Sequence, residues 1–267
     1  YRTGAVVNVE FLEPGSGLAR GFEHYDFYAS RGSNRGNRDA RQTTDAALSW
    51  AGGIGSEPFF LLVHYFDPHL TYDPPPPYDT LFQPSGTSLI PEGFGTESEL
   101  FALRRGDLEL DAPQRASLVA RYDGEIRYVD EEFGRLRRGL EALGQWDRSL
   151  VIVVGDHGEE FWEHGGFEHA HSHHREVLQV PLIVRRPGGR IRAGRLGRGR
   201  ARRERDDRER GDEATGHGAL LSRGKNERLV CLDAHRIARD TYHTFDEILI
   251  LMRRNKHHHL AVLGHIH

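Results

Sequence analysis

An acid and an imidazole stand side by side at Asp156 and His157, directly after an apolar β-type run at 150–154 that stops at Gly155. Six histidines fall within 157–174 (His157, His164, His169, His171, His173 and His174), and a second apolar run follows at 181–184. Carboxylate and imidazole both bind a divalent cation in their deprotonated forms, through lone pairs at short range, so Asp156 and His157 are read as metal ligands. A buried strand that ends in glycine and throws polar residues into the next loop is how open α/β sheets build sites at their carboxyl ends. The competing reading makes Asp156 a helix cap for a helix starting near Glu159 and leaves the histidines solvated. A second strand end of the same kind lies at 58–66, PFFLLVHYF, apolar enough to be buried on both faces. It delivers His64, then Asp67, Pro68 and His69, into a loop closed by prolines 74–77. Proline lacks an amide donor and has a fixed φ, so this loop is stiff and cannot extend the sheet.

The elements that must hold these groups are legible around them. Leu118, Tyr122, Ile126, Val129, Phe133, Leu136, Leu140 and Leu143 recur at steps of three and four, which predicts one long helix over 113–143. Pro113 suits its first turn and Gly144 its stop. Its charged residues Arg121, Glu125, Arg127, Asp130, Glu131 and Arg135 are read as a solvated face. The order strand, helix, strand over 58–154 is a crossover unit, which makes the two strands parallel in one sheet. Ahead of it come a short β-branched strand at 4–9, a Gly-rich aromatic loop at 11–28, and a helix at 38–50 with Ala40, Ala47 and Leu48 inward. Residues 80–111 read as an excursion over the surface, punctuated by proline and glycine.

Composition sets outer limits. The 267 residues suffice for one large α/β domain or two small ones. A net charge of −4 gives no general reason to expect nucleic acid. The single cysteine, Cys231, excludes an internal disulfide framework and a Cys-rich zinc module. No apolar run approaches the roughly 18 residues of a membrane helix, and no signal-peptide pattern or initiator Met precedes Tyr1, so the chain reads as a fragment.

The texture changes beyond Pro187. Ten arginines fall within 190–210, with almost nothing apolar among them. Such a run buries too little surface to offset the entropy of ordering it. A nucleic-acid or phosphate-binding arm is the functional reading, weakened by the interspersed Glu204, Asp206, Asp207, Glu209, Asp212 and Glu213. We therefore divide the chain into an α/β domain at 1–189 and a low-complexity tail at 190–267, disordered or aberrant, with an apolar patch at 248–252 and a His-rich finish. His171, His173 and His174 receive no role.

Four stretches together resemble the sulfatase family of the alkaline phosphatase superfamily over about residues 1–190. Tyr1-Arg-Thr-Gly4 before a β-branched strand is similar to the strand following "GY-x-T". Residues 17–26, from Gly-Leu-Ala-Arg-Gly-Phe to Asp26, resemble "G-F-D/E-x-Y-D". FLLVHYFDPHLTY at 60–72 is similar to the strand and loop ending in "P-H-x-P-Y", with Leu70-Thr71 in place of x-Pro. Residues 153–184 match "S/G-D-H-G-E … E-H-G … V-P-L-I" almost throughout.

The resemblance implies an α/β fold with a mostly parallel sheet flanked by helices, incomplete here and followed by the irregular Arg-rich tail. It implies that Asp156 and His157 close a divalent metal site. Ca²⁺ is the family habit, while the imidazole makes Mn²⁺ or Zn²⁺ more suitable than usual. It makes His69 and His169 catalytic and substrate-binding: His69 beside the ester oxygens, able to donate a hydrogen bond or a proton to the departing group, and His169 where relatives place a Lys or His against the sulfate. His64 is read as a wall of the substrate pocket.

Equally informative is what the motifs lack. Cys231 sits in Cys-Leu-Asp-Ala-His, without the proline and arginine of the C/S-x-P-x-R stretch whose cysteine or serine becomes formylglycine, and no serine has that context. The nucleophile and the first metal-binding aspartates are thus expected upstream of Tyr1. The reading is a metal-dependent sulfuric ester hydrolase acting on a small-molecule or carbohydrate sulfate ester, inactive as this chain alone. The alternatives are a phosphomonoester, phosphodiester or phosphonate hydrolase of the same superfamily, and a catalytically inactive metal-binding fragment. The family leans toward periplasmic or secreted placement; the residues themselves do not reveal the compartment.

Overall fold

A computed structural model describes residues 1–29, 38–196 and 247–253. The strands are β1 (Arg2–Val7), β2 (His24–Phe27), β3 (Phe59–Tyr65), β4 (Ser149–Gly155), β5 (Glu160–Phe161), β6 (Phe167–Glu168), β7 (Val180–Arg186), β8 (Arg190–Leu196) and β9 (Glu247–Arg253). The α-helices are α1 (Ala40–Gly53), α2 (Tyr78–Leu81), α3 (Glu97–Arg105), α4 (Ala112–Ala142) and α5 (Arg175–Leu178). Seven strands form one sheet in the order β2-β1-β3-β9-β4-β7-β8, and β5 and β6 form a small hairpin. Strands β2, β1, β3, β4 and β8 run one way, β9 and β7 the other. The sheet is therefore mostly parallel in direction, as expected, and β3 and β4 do point the same way. They are not neighbours: β9 lies between them, antiparallel to both.

Local chemistry accounts for the helices. Asp39 and Asp111 each cap a helix by accepting the amide three residues on, Gln42 at 2.7 Å and Gln114 at 2.8 Å, and both glutamines bond back in capping boxes. Helix α4 then runs 31 residues before Gly144, at φ +64°, takes the left-handed turn that stops it. Helices α1 and α4 pack on one face of the sheet, burying Val6, Phe59, Leu61, Val63, Tyr65, Val151 and Val153 against Ala47, Ala51, Val129, Phe133, Leu136 and Leu140. Each fully buried large side chain there contributes about 1.5–3 kcal/mol. Gly4 lets β1 come under α1, since a Cβ at that position would lie 2.5 Å from the Trp50 ring. The alternate residues of β3 and β4 (Phe60, Leu62, Ile152 and Val154) are only half-buried, so β3 is not enclosed on both faces as its composition suggested. Phe22 from the Gly-rich loop meets Phe60 on that side, ring centroids 5.7 Å apart.

Two expectations are corrected. The charged residues of α4 are not a uniform solvated face: Arg121, Glu125 and Asp130 are 8%, 3% and 7% exposed. For Arg121 and Glu125 the cause is the segment from Asp73 through the excursion at 80–111. It folds back over the helix in a second core of Leu70, Tyr72, Ile90, Phe94, Leu110, Leu118, Tyr122 and Ile126. Arg121 is bound there to Asp73 at 2.9 Å, Ser88 at 2.9 Å and the Pro91 carbonyl at 3.1 Å, and Glu125 accepts the Asp73 amide at 2.7 Å.

The second correction is to the boundary at 189. Gly188 and Gly189, at φ +81° and +89°, turn the chain into a hairpin, and β8 pairs with β7 along its whole length. Averaging over ten arginines hid this strand, while the Pro-Gly-Gly turn signalled it. The apolar patch at 248–252 lies in β9, the sheet's middle strand, where a continuous apolar run is the normal pattern. The remaining tail, Cys231 and the His-rich finish lie outside the described residues. Among the described residues no helix is long and apolar enough to cross a membrane.

Candidate active site

Because β3 and β4 are parallel, the segments leaving them reach the same edge of the sheet. After Tyr65 the chain turns, and the Asp67 carboxylate accepts the Ala40 amide at 2.7 Å, where the first turn of α1 has amides to satisfy. His69 stacks on Phe66 with ring centroids 4.7 Å apart, and its Nδ1 lies 2.8 Å from the Leu70 carbonyl. A carbonyl can only accept, so Nδ1 carries the proton and Nε2 is the nitrogen whose protonation can change.

At the end of β4, the His157 amide donates to Asp156 Oδ1 at 2.9 Å. The His157 Nδ1 lies 3.0 Å from the Gly158 carbonyl, which by the same logic makes Nε2 the lone-pair nitrogen. That Nε2 is 3.8 Å from Asp156 Oδ1, and both side chains are about one-third exposed. A divalent cation fits two such donors facing one region, one oxygen and one nitrogen. Its remaining positions would fall to other ligands.

His169 joins the two strand ends. Its ring centroid is 3.9 Å from that of His157 and 5.2 Å from that of His69. It follows β6, whose hairpin with β5 is closed by the Trp162 amide donating to the Gly166 carbonyl at 2.8 Å. The His169 Nδ1 lies 3.0 Å from Glu159 Oε1, and its Nε2 lies 3.4 Å from Glu168 Oε1. The first is an aligned hydrogen bond, the second an ion-pair distance alone. A ring protonated on both nitrogens meets a carboxylate on each side.

Four groups here escaped the sequence reading. Glu159, 3% exposed, takes the Tyr72 hydroxyl on its other oxygen at 2.7 Å. Burial, followed by the charge of Glu159, pushes the Tyr72 phenol well above its ordinary range, so Tyr72 remains a donor. Glu168 sits at φ +73°, and burial raises its carboxyl, with Glu159 adding to the effect and His169 and Arg104 opposing it. Arg104 of α3 reaches across to Glu168 and forms a short charged contact. Tyr72 and Glu159 both stand inside the matched stretches, where their types could have been weighed; nothing in the sequence marks Arg104.

His64 lies at the same end of β3 but is 5% exposed. Its Nδ1 accepts the Asn8 amide at 3.4 Å, and the Asn8 side-chain amide donates both to the His64 carbonyl and to Thr43 Oγ1, the latter at 3.0 Å. It ties β1, β3 and α1 together under the edge. His171, left without a role, bonds Glu160 at 3.2 Å.

The sequence has counterparts among known proteins. A family model described as Sulfatase matches residues 9–204. The chain is 26% identical over 169 residues to a multifunctional alkaline phosphatase superfamily protein, PehA, of Trinickia caryophylli, covering 56% of this chain and 33% of that protein. It is 26% identical over 144 residues to an arylsulfatase of Clostridium perfringens (51% and 29% covered) and 23% identical over 170 residues to the iduronate 2-sulfatase of Homo sapiens (55% and 30% covered). Among solved structures, a phosphonate monoester hydrolase from Silicibacter pomeroyi matches with a TM-score of 0.46 at 27% identity, over 57% of this chain and 34% of that one. The chain spans about a third of the length of these curated relatives.

Proposed function

We propose, from the premise that this chain belongs to the sulfatase family, that it carries the leaving-group and charge-stabilising part of a sulfuric ester hydrolase site. The supporting observation is the convergence of His69, His157 and His169 beside Asp156, with Nδ1 of both His69 and His157 turned to a backbone carbonyl. In this reading His69, protonated also at Nε2, gives that proton to the alcohol oxygen as the sulfur–oxygen ester bond breaks. His169, held between Glu159 and Glu168, presents positive charge to the sulfuryl oxygens, whose negative charge grows during transfer. Asp156 and His157 hold a divalent cation, which when bound supplies Lewis-acid stabilisation of those oxygens. Ca²⁺ is the ion proposed, with Mn²⁺ or Zn²⁺ suited by the imidazole.

The attacking oxygen is not assigned to any described residue. We assign it to a formylglycine hydrate carried by the part of the relatives' length that this chain does not span. The substrate is a small-molecule or carbohydrate sulfate ester, and His64 acts from behind the pocket wall.

The test assays the polypeptide joined to a C-x-P-x-R-bearing N-terminal segment of a sulfatase, with an aryl sulfate and an aryl phosphate compared in the presence of Ca²⁺ or Mn²⁺. Hydrolysis of the sulfate that falls on the order of 10²-fold or more in His69→Ala supports the reading. Preference for the phosphate ester would move the assignment to phosphate or phosphonate ester hydrolysis on the same groups. Turnover by residues 1–267 alone, lost in His69→Ala, would overturn the external nucleophile.

A further inference from the structure

We propose that His164, His174 and Glu176 form a second metal site, distinct from Asp156 and His157, that takes a zinc-type divalent cation and pins the β5–β6 hairpin to α5. The three residues come from two separate pieces of chain. His164 lies in the turn of the hairpin, whose closure is set by Glu160: its carboxylate accepts the amides of Gly166 at 2.8 Å and His164 at 3.3 Å and the hydroxyl of Ser172 at 3.0 Å. His174 is the residue just before α5, and Glu176 is in its first turn. One ligand atom from each of the three lies within 4.8 Å of the others. The two imidazoles are stacked, with centroids 3.8 Å apart and planes at 21°, so the two rings already lie side by side.

The carboxylate carries the argument. Glu176 is 8% exposed, yet its Oε1 is a buried oxygen with no hydrogen-bond partner. The His164 Nε2 is only 2.8 Å from it, which satisfies an ion-pair distance. That contact lacks the alignment of an N–H···O bond, so the oxygen has an ion-pair neighbour without a hydrogen bond. An anionic oxygen taken from water and left unaligned costs free energy that a shared cation would return. Two imidazoles and one carboxylate form a donor set for zinc or a neighbouring borderline metal rather than Ca²⁺ or Mg²⁺. Tetrahedral ligands at about 2.0–2.2 Å from the ion lie roughly 3.3 Å apart. The one contact of 2.8 Å, between His164 and Glu176, is shorter than that spacing, so the ligands would move apart slightly around an ion, and the exposure of both histidines leaves the fourth position to water.

The site would act through the fold. The Val177 carbonyl of α5 accepts the Gly158 amide at 2.7 Å, and Gly158 adjoins His157; the hairpin leads directly to Glu168 and His169. A cation clamping hairpin to helix therefore steadies both sides of the active-site edge, and metal that binds only the native state raises its stability.

The experiment is equilibrium dialysis of the full chain against Zn²⁺, with Co²⁺ absorption as the spectroscopic readout. Variants are His164→Gln, His174→Gln and Glu176→Gln, with Asp156→Asn and a triple His257→Ala, His258→Ala, His259→Ala variant as comparisons. Each of the first three should lose the same single equivalent of Zn²⁺, with affinity falling by roughly 100-fold or more, since even groups behind a metal ligand cost about 10–100-fold. The tetrahedral Co²⁺ band and the Zn²⁺-induced rise in Tm should vanish with it, while the circular dichroism of Glu176→Gln without metal stays that of the parent. Both comparison proteins should keep that equivalent. Unchanged stoichiometry in the three variants, or its loss only in the tail variant, would overturn the site and leave His164 and Glu176 as an ordinary ion pair.

Discussion

Glu159 and His169 form an aligned hydrogen bond, carboxylate oxygen to Nδ1 at 3.0 Å, although a whole hairpin lies between them in the chain. The other Glu159 oxygen is taken by Tyr72 at 2.7 Å, so the ring of His169 is aimed by a carboxylate that is itself held from the loop after β3. Glu159→Gln should lower kcat/KM for the sulfate ester by about 10–100-fold in the joined enzyme, with kcat carrying most of the loss. Tyr72→Phe should cost about 1 kcal/mol of stability by removing one hydrogen bond to a buried carboxylate. Equal activity of Glu159→Gln and parent would remove Glu159 as a positioning residue.

The histidine tautomers can be read without turnover. Long-range ¹⁵N–¹H spectra at high pH should show Nδ1 protonated and Nε2 pyridine-like in both His69 and His157, because each Nδ1 faces a backbone carbonyl. Added Mn²⁺ should broaden His157 first. An Nε2–H tautomer at His157 would deny the metal its lone pair there.

Asp130 gives the stability a pH slope. Burial raises its carboxyl from 3.8 to about 7, against the pull of Arg127 at 3.6 Å. The folded pKa is above the unfolded one, so between about pH 4 and 7 the folded chain keeps a proton that the unfolded chain has released. The stabilisation is complete below the lower value and is lost as pH rises through the upper one. Asp130→Asn should flatten the fall in denaturation midpoint across that window and raise stability at pH 8 by on the order of a few kcal/mol. A parallel slope in the variant would exclude Asp130 as its source.

Arg121 fastens the 70–95 region onto α4 through Asp73, Ser88 and Pro91. Arg121→Met leaves Asp73 with only its remaining bonds in a partly buried place and should destabilise by about 3 kcal/mol. Hydrogen exchange should quicken at Gly93, whose amide donates to Asp73, before it quickens in β3.

The middle strand decides whether the domain closes near residue 189 or needs the later segment. Ile250 pairs with Leu62 on one side and Ile152 on the other. Ile250→Pro removes a ladder donor from the centre of the sheet and should lower Tm far more than Arg192→Pro in β8 at the sheet edge. A protease-resistant core ending near Gly189, folded and of unchanged Tm, would restore the shorter boundary.

The chain's own order of residues determined the strands at 59–65 and 149–155, the capped helix between them, and hence that Asp156, His157 and His69 reach one edge. Periodicity and capping are local, and a crossover leaves little choice of direction. Tertiary structure alone decided the rest. Arg121 and Glu125 look like surface charges until Asp73, Ser88 and Pro91 close over them, and burial is a property of what packs on a residue rather than of the residue. The seat of Glu247–Arg253 between β3 and β4 could not be read, because strand order is set by pairing between distant segments and an apolar run names no partner. Arg104, Glu168 and Glu159 gathered around His169 for the same reason: a carboxylate acquires its role from the donor that the fold brings within 3 Å or so of it.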